Sequence, residues 1–199
     1  IKTPAFALIE TLDCLEQTCA HLKFPLFVKP DKAGDSLGID QHSLVHNKEE
    51  LLHKCNEILD EYGPLLVEEY IQGREFTVML VANADDEKTC TVFKPIEYIF
   101  PEGFEFKTYA LKTSELHPEA NIPCGDPVLE AALKDAALQI FQGFGGAGYA
   151  RLDFRVNAQN EIFFLEINFT CSVFYKDGYE GSADYILKSD GIGQAGFLK

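Results

Sequence analysis

Residues 148–168, GYARLDFRVNAQNEIFFLEIN, contain two segments rich in aromatic and aliphatic residues, separated by four turn-forming residues. This pattern predicts a β-hairpin with strands over residues 149–156 and 161–168 and a turn over residues 157–160. Polar residues interrupt both predicted strands at alternate positions, and they give the first indication of function.

The pairing of the two strands determines which of these polar side chains lie together. If Val156 pairs with Glu161, Arg151 lies opposite Glu166 and Asp153 lies diagonal to it. Side chains alternate between the faces of a strand, so four polar residues would share one face, namely Arg151, Asp153, Glu166 and Asn168. Two carboxylates, an amide oxygen and a guanidinium are costly to bury in a hydrophobic hairpin unless another group compensates them. We therefore expect a divalent cation at this face.

The composition of the 199 residues, 46% hydrophobic and 25% charged, is typical of a globular protein. This length accommodates one large domain or two small lobes that share a cleft. The net charge of −15 argues against a nucleic acid or an anionic membrane as partner, because both are bound by basic surfaces. The net charge does not exclude a small anionic substrate, since four cations can form a locally basic cleft: Lys29, Arg74, Lys112 and Arg151.

The six cysteines are scattered through the chain without a Cys-x-x-Cys pair. This distribution favours free thiols of a reducing compartment over a disulfide framework, and hence a cytoplasmic protein. No apolar run has membrane-spanning length, and no signal sequence is visible. The chain begins at Ile1 and enters predicted structure almost at once, so we expect it to be a piece of a longer protein.

A short buried-strand pattern at residues 24–30, FPLFVKP, contains Lys29 and precedes a small, polar, glycine-bearing loop at residues 31–38. Such a loop can fold its amides around a phosphate. It is not a P-loop, because no Gly-Lys-Ser/Thr ends it. Taken alone, the lysine also fits a solvated strand end, and the loop fits a plain hairpin turn.

Two adjacent glutamates, Glu68 and Glu69, end a predicted apolar strand within the segment 64–78. A strand end with acceptors and backbone groups is a common place to hold a base and a ribose. Two solvated glutamates at a loop explain the same pattern equally well.

The irregular, proline-spaced segment 101–123 contains Tyr109 and Lys112. Long loops in compact domains are more often functional than idle, so we expect a functional role for this segment.

The segment 143–148, GFGGAG, matches the Gly-x-Gly-x-x-Gly pattern of dinucleotide-binding proteins. That fingerprint follows a strand and opens a helix, whereas this segment follows a predicted helix and opens the hairpin. We therefore interpret these glycines as the end of the helix.

Three of these motifs occur in the order found in the ATP-grasp superfamily. Residues 24–38 resemble its strand-lysine-proline and glycine loop, residues 66–78 (LVEEYIQGREFTV) resemble its nucleotide hinge, and residues 148–168 resemble its metal hairpin. The combination is most similar to the D-alanine–D-alanine ligase branch, and the resemblance covers nearly the whole chain.

The resemblance implies an α+β fold of two lobes, whose mainly antiparallel sheets enclose a nucleotide. Residues 1–75 would form the central lobe and residues 76–199 the carboxyl-terminal lobe with the metal hairpin. An amino-terminal substrate lobe would lie outside this sequence.

The resemblance also implies which residues contact ATP. Phosphate contacts are implied for Lys29, for Ser36 with its loop, and for Lys112. The adenine and ribose contacts follow in chain order, with Glu68, Glu69 and Ile71 at the adenine and Glu75 at the ribose.

For the hairpin, the resemblance implies that Asp153, Glu166 and Asn168 hold two Mg²⁺ ions, with Glu166 bridging and Mn²⁺ as a possible substitute. Arg151 would stabilise the transferred phosphoryl group and the tetrahedral intermediate. No protein nucleophile is required, which agrees with the lack of a convincing Cys/His pair in the sequence.

One segment and two single positions depart from the family pattern. The family usually continues after the metal hairpin with Thr-x-Pro-Gly-Met-Thr, but residues 169–174 read FTCSVF. Asp35 stands in place of a common serine, and Thr113 in place of a tyrosine. All three departures affect the substrate half of the site, so the sequence does not identify the acid and the amine that react.

The expected function is an ATP- and Mg²⁺-dependent carboxylate–amine ligase that acts through an acyl phosphate, similar to D-alanine–D-alanine ligase, on amino acids or a related acid and amine. The alternative is a non-catalytic nucleotide- or metal-binding module with a regulatory or interaction role. We expect small-molecule substrates and no nucleic acid or membrane partner, with a homodimer as an open option.

Overall fold

A computed structural model describes residues 1–34, 36–83, 86–108 and 118–198. These residues form helices and antiparallel sheets, which confirms the predicted α+β class. The chain divides into two compact units. The Lys29 unit comprises Pro4–Ile71 and the described part of Phe100–His117, and the hairpin unit comprises Ile1–Thr3, Gln72–Ile99 and Pro118–Lys199. The assignment of residues 1–75 and 76–199 to two family lobes stays a prediction.

The Lys29 unit contains a four-stranded antiparallel sheet in the order β1-β4-β2-β3. Its strands are β1 (Phe6–Ile9), β2 (Leu26–Pro30), β3 (Leu44–Val45) and β4 (Leu65–Glu69). Its helices are α1 (Leu15–Thr18) and α2 (Lys48–Tyr62), with 3-10 turns at Leu12–Cys14 and Gln41–Ser43.

Helix α2 begins after a side-chain cap, since the Asn47 side chain accepts a hydrogen bond from the Glu50 amide at 3.0 Å. The helix packs one apolar face, including Cys55 and Ile58, against alternate residues of β2 and β4 such as Val28 and Val67. The opposite faces of β2 and β4 therefore present Lys29 and Glu68 on one side of the sheet.

The hairpin unit contains an antiparallel sheet in the order β10-β9-β5-β7-β8, with β6 also paired to β5. Its strands are β5 (Arg74–Asn83), β6 (Asp86–Val92), β7 (Ile96–Tyr98), β8 (Asn121–Pro123), β9 (Tyr149–Val156) and β10 (Ile162–Asn168). Its helices are α3 (Pro127–Gly143), α4 (Ser182–Ser189) and α5 (Gly193–Phe197), with a 3-10 turn at Pro118–Ala120. No helix in the described part of the chain is both long and apolar enough to cross a membrane.

Helix α3 covers one face of this sheet. Asp126 caps it by accepting from the amides of Val128 and Leu129 at 2.9 and 3.2 Å, and buried residues such as Leu133 and Phe141 pack on the sheet. The helix ends at Gly143 and β9 starts at Tyr149, so the glycine-rich segment follows a helix and precedes a strand, as predicted.

The strands of the predicted hairpin are confirmed almost to the residue, but the predicted register is wrong. Val156 pairs with Ile162 rather than with Glu161. Glu161 belongs instead to a five-residue loop, in which its amide donates to Asn157 Oδ1 at 2.9 Å and its carboxylate pairs with Lys2.

The loop is one residue longer than predicted, and a β-bulge in β10 restores the common face of the polar side chains. The register shifts between Phe164 and Glu166, so that Glu166 lies opposite Asp153 and Asn168 lies opposite Arg151. Without the shift, Glu166 and Asn168 would have pointed to the opposite face, because side chains alternate along a strand. The four polar residues therefore share one face, as predicted, although their partners differ from those predicted.

Gly73, just before β5, is expected to tolerate no side chain. Its φ is +148°, and a Cβ would overlap the carbonyl oxygen of Val156. We expect Gly73→Ala to lower the free energy of unfolding by about 3 kcal/mol, measured by urea denaturation. Gly125→Ala is the matched control, because nothing lies within 4 Å of its Cβ position. Equal midpoints for the two variants would contradict the steric argument.

Candidate functional site

The polar cluster of the hairpin unit centres on the Arg151 guanidinium. Its Nη2 atom lies 3.2 Å from Asp153 Oδ2 and 3.9 Å from Glu166 Oε1. The Asn168 amide nitrogen donates to Glu166 Oε1 at 3.0 Å. Arg151 and Asp153 are mostly buried, whereas the Glu166 side chain is 52% exposed. The cluster is thus partly open to solvent on the β10 side.

Burial and the neighbouring carboxylates shift the pKa of the Arg151 guanidinium in opposite directions. Asp153 raises the pKa of the guanidinium, and this effect outweighs the burial that lowers it. The Arg151 Nε atom is buried and has no hydrogen-bond partner among the described residues. Arg151 is therefore a permanent cation with one buried donor, Nε, that the described residues leave unsatisfied.

The donors of this cluster fit Mg²⁺. Asp153 and Glu166 supply carboxylate oxygens and Asn168 an amide oxygen, and magnesium binds through one or two carboxylates together with substrate phosphates. Among the described residues, no cluster of three or more His, Cys, Asp or Glu side chains is placed to form an all-protein metal cage.

Thr77 is a polar residue of this face that the sequence analysis did not identify. It lies opposite Asp153 in the pairing of β5 with β9, is 3% exposed, and its hydroxyl has no partner among the described residues. A threonine at an alternate position of a buried strand was the available signal, but threonine is also an ordinary strand residue.

Glu75, the predicted ribose contact, lies opposite Arg155. Its Oε2 atom is 3.5 Å from Arg155 Nη2, and the Arg155 side chain is 3% exposed. Sequence reasoning missed Arg155, although its position two residues after Asp153 places it on the polar face. This buried ion pair extends that face along β5 and β9.

In the Lys29 unit, the predicted phosphate contact Lys29 and the predicted adenine contact Glu68 lie together. Lys29 Nζ donates to Glu68 Oε1 at 2.8 Å, with the side chains 22% and 11% exposed. Phe27 flanks the pair on the same face of β2 and packs edge-on against Phe106. Lys29 is thus an oriented cation rather than a solvated strand end.

Glu69 points to the opposite face from Glu68. Its carboxylate accepts from the Lys23 amide at 2.9 Å, and its own amide donates to Ala5. The Glu69 side chain therefore links the end of β4 to the segment that precedes β2. Ile71 lies in the segment that leaves β4, next to Tyr70, whose amide donates to Pro25 at 3.0 Å.

Ser36 is placed within the glycine loop, where it is 9% exposed and its φ is +59°. Its carbonyl accepts from the Ile39 amide at 3.0 Å. Gly38 closes the loop at φ +74°, where a Cβ would lie 2.7 Å from Pro30 Cγ. The predicted phosphate contact Lys112 lies outside the described residues, as do Asp35 and Thr113.

Cys171 is the cysteine nearest to the polar cluster. Burial raises the pKa of its thiol, although the Arg151 charge acts in the opposite direction. A thiol with a raised pKa is a poor nucleophile at neutral pH.

Comparison with known families and proteins gives a consistent result. The family model described as D-ala D-ala ligase C-terminus matches residues 5–174. D-alanine–D-alanine ligase B of Clostridium tetani is 36% identical over 149 residues, which cover 74% of this chain and 39% of that protein. D-alanine–D-alanine ligase of Syntrophotalea carbinolica is 33% identical over 170 residues, covering 84% of this chain and 50% of that protein. The chain therefore spans about half or less of the length of these relatives.

Solved structures show the same fold. The VanG D-Ala:D-Ser ligase from Enterococcus faecalis aligns with a TM-score of 0.75 at 22% identity, over 100% of this chain and 55% of that chain. The D-alanine–D-alanine ligase from Bacillus anthracis complexed with ATP aligns with a TM-score of 0.68 at 19% identity, over 100% of this chain and 58% of that chain. Together with the family match over residues 5–174, these likenesses show that the chain has the ATP-grasp fold and belongs to the D-alanine–D-alanine ligase carboxyl-terminal family.

Proposed function

We propose that the full-length protein is an ATP- and Mg²⁺-dependent carboxylate–amine ligase that joins amino acids, or a related acid and amine, through an acyl phosphate. The observation that supports it most is the Arg151–Asp153–Glu166–Asn168 cluster, which lies on one sheet face despite a longer loop than predicted. β-bulges are over-represented next to active sites, where they redirect a side chain, and this bulge directs Glu166 to the face of Arg151. Membership of the ligase family supports the same reaction class.

In the proposed reaction, a carboxylate oxygen of the acid forms a bond to the γ-phosphorus of ATP, and ADP leaves. The amine nitrogen then attacks the acyl carbon, inorganic phosphate leaves, and the amine loses a proton. Phosphoryl transfer needs mainly positioning and charge neutralisation from the protein. Arg151 supplies a fixed cation for the negative charge that develops on the phosphoryl and carbonyl oxygens.

The proposal assigns the metal to Asp153, Glu166 and Asn168, with two Mg²⁺ ions and Mn²⁺ as a substitute. When bound, the metal neutralises the phosphate oxygens. Arg151 Nη2 lies 3.2 Å from Asp153 Oδ2 and 3.9 Å from Glu166 Oε1, and its single positive charge offsets one of the two carboxylate charges. A bound cation would offset the charge that remains.

The proposal assigns the phosphates to Lys29, Ser36 and Lys112, the adenine to Glu68, Glu69 and Ile71, and the ribose to Glu75. Lys29 is supported by its orientation against Glu68. For Glu69 the structure favours a backbone contact, because its carboxylate already accepts from Lys23. Glu75 would have to share its carboxylate between Arg155 and a ribose hydroxyl.

Two further proposals concern the cellular compartment and the oligomeric state of the protein. The six free cysteines support a reducing compartment such as the cytoplasm. A homodimer is the oligomeric state we propose to test first, by light scattering of the full-length protein, because two-fold dimers are the commonest soluble oligomers.

The decisive experiment measures ADP release by the full-length protein with Mg²⁺-ATP and a panel of D- and L-amino acids. We expect turnover only when a suitable amino acid is present, with D-alanine as the first candidate because the curated relatives are named for it. Glu166→Gln should reduce turnover by about a hundredfold or more, because it removes a charged metal ligand.

The control variant is Glu49→Gln, a change at an exposed position on α2, which should leave turnover unchanged. Nucleotide binding without amino-acid-stimulated turnover would reject the ligase and favour the non-catalytic binding module. Failure to bind Mg²⁺-ATP at all would reject the assignment of Lys29 and Glu68 as well.

A further inference from the structure

The segment 169–181, here called the post-hairpin loop, connects β10 to α4. From Phe169 to Asp177 it contains neither proline nor glycine, so its local sequence neither restricts nor specially frees the backbone. Its conformation must therefore depend on contacts with other parts of the hairpin unit.

The first half of the loop lies beside the polar cluster. The Tyr149 hydroxyl donates to the Cys171 carbonyl at 3.1 Å, and Tyr149 shares a face of β9 with Arg151. The Arg151 charge also acts on the Cys171 thiol. The loop thus turns back across the same sheet face, next to the cation of the cluster.

The second half of the loop is held by one buried carboxylate from the following helix. Asp184, in the first turn of α4, is 7% exposed. Its oxygens accept hydrogen bonds from the amides of Phe174 at 2.6 Å, Tyr175 at 3.4 Å and Gly181 at 3.1 Å. One side chain therefore ties the middle of the loop to its end.

Helix α4 provides a rigid support for this carboxylate. Its buried residues Ala183, Ile186 and Leu187 pack against Met79 and other residues of the sheet. Met79 lies opposite Arg151 in the pairing of β5 with β9. The position of Asp184 is thus coupled through packed side chains to the strands that carry the polar cluster.

Phe174 shows what Asp184 has to hold in place. Its φ is +67°, a left-handed conformation that bulky residues rarely adopt. The short hydrogen bond from its amide to Asp184 and the packing of its ring on Phe197, with centroids 5.6 Å apart, compensate this strain. Loss of the carboxylate would release the strained residue and with it the middle of the loop.

We propose that Asp184 is a positioning residue, which fixes the post-hairpin loop as one wall of the site for the second, amine-bearing substrate. This inference rests on the proposed ligase function. The amine has to reach the acyl carbon where Arg151 stabilises the reacting oxygens, and the loop is the segment that adjoins Arg151 on that face. Asp184 itself touches neither substrate, because its oxygens are engaged by the loop amides.

The test compares Asp184→Asn with wild type in the full-length protein, using the amino-acid pair that gives turnover in the panel. Asparagine keeps the shape but replaces one acceptor oxygen by a donor that faces backbone N–H groups. We expect the KM for the second amino acid to rise by about tenfold, while the KM for ATP changes by less than about twofold. Asp184→Ala should give a larger rise in the same parameter.

Limited trypsin digestion gives a readout that does not depend on turnover. Lys176 lies in the loop and is exposed, so cleavage after it should be faster in Asp184→Asn than in wild type. Asp135→Asn on α3 is the control, because the Asp135 carboxylate contacts the neighbouring Gln139 on an exposed helix surface. This control should change neither KM nor the digestion rate.

The outcomes separate this inference from the proposed function. An active wild type with an unchanged second-substrate KM in Asp184→Asn would overturn the role of Asp184 alone. An equal rise in both KM values, or loss of Mg²⁺-ATP binding, would show a general structural role and also overturn it. A wild type without amino-acid-stimulated turnover would reject both.

Discussion

Replacement of Arg151 by lysine is expected to reduce amino-acid-stimulated ADP release by about a hundredfold or more, with little change in Mg²⁺-ATP affinity. Lysine keeps the positive charge but not the planar set of donors, of which Nη2 contacts Asp153 and Nε is buried without a partner among the described residues. A point charge on a flexible stem cannot hold both carboxylates and still present a fixed donor to a reacting oxygen.

Arg74→Lys is the matched control for this change. Arg74 pairs with Glu97 through Nε and Nη2 at 2.8 and 2.6 Å, and its side chain is 43% exposed. It lies on the opposite face of β5 from the polar cluster, so the expectation that it joins Arg151 in one basic cleft is wrong. We expect turnover of this variant to stay within about twofold of wild type. Similar losses in the two variants would refute a specific role for Arg151.

Replacement of Lys29 by methionine is expected to weaken Mg²⁺-ATP binding by about a hundredfold, because it removes an oriented cation from the phosphate contacts. The same change leaves the Glu68 carboxylate, 11% exposed, without its cation. We therefore also expect the free energy of unfolding to fall by about 3 kcal/mol. Calorimetric titration with Mg²⁺-ATP and urea denaturation measure the two effects.

Lys48→Met is the control for Lys29→Met. The Lys48–Glu16 pair has a similar length of 3.0 Å, but its side chains are 76% and 80% exposed. An ion pair at the surface contributes less than about 1 kcal/mol, so this variant should unfold almost like wild type and bind Mg²⁺-ATP normally. Normal nucleotide binding in Lys29→Met would instead remove Lys29 from the proposed site.

The hairpin shows how far sequence reasoning reaches in this chain. Alternation predicted both strands and the common face of Arg151, Asp153, Glu166 and Asn168, because side-chain direction has a period of two residues. It did not predict the partners. The five-residue loop and the bulge each shift the register by one residue. Glu166 therefore points to the predicted face, but it lies opposite Asp153 instead of Arg151.

The contacts that the sequence did not predict are long-range and between charged groups. Lys29 and Glu68 belong to different motifs, yet they form one pair because β2 and β4 are neighbours in the sheet. Glu75 and Arg155 are paired for the same reason across β5 and β9. No local pattern specifies which strands become neighbours, so these pairs appear only in the folded chain.

The sequence by itself determined the types of residue available, their alternation along each strand and the order of three motifs. The resemblance of these motifs to the ATP-grasp superfamily predicted the fold. Only the tertiary structure decided which charges neutralise each other, how the bulge keeps Glu166 beside Arg151, and that Asp184 holds a loop lacking proline or glycine over its first nine residues. The physical reason is that some properties are set by neighbouring residues and others by contacts between distant parts of the chain. Side-chain direction follows from the geometry of each strand, whereas the partner of a buried charge depends on strand pairing and helix packing over the whole unit.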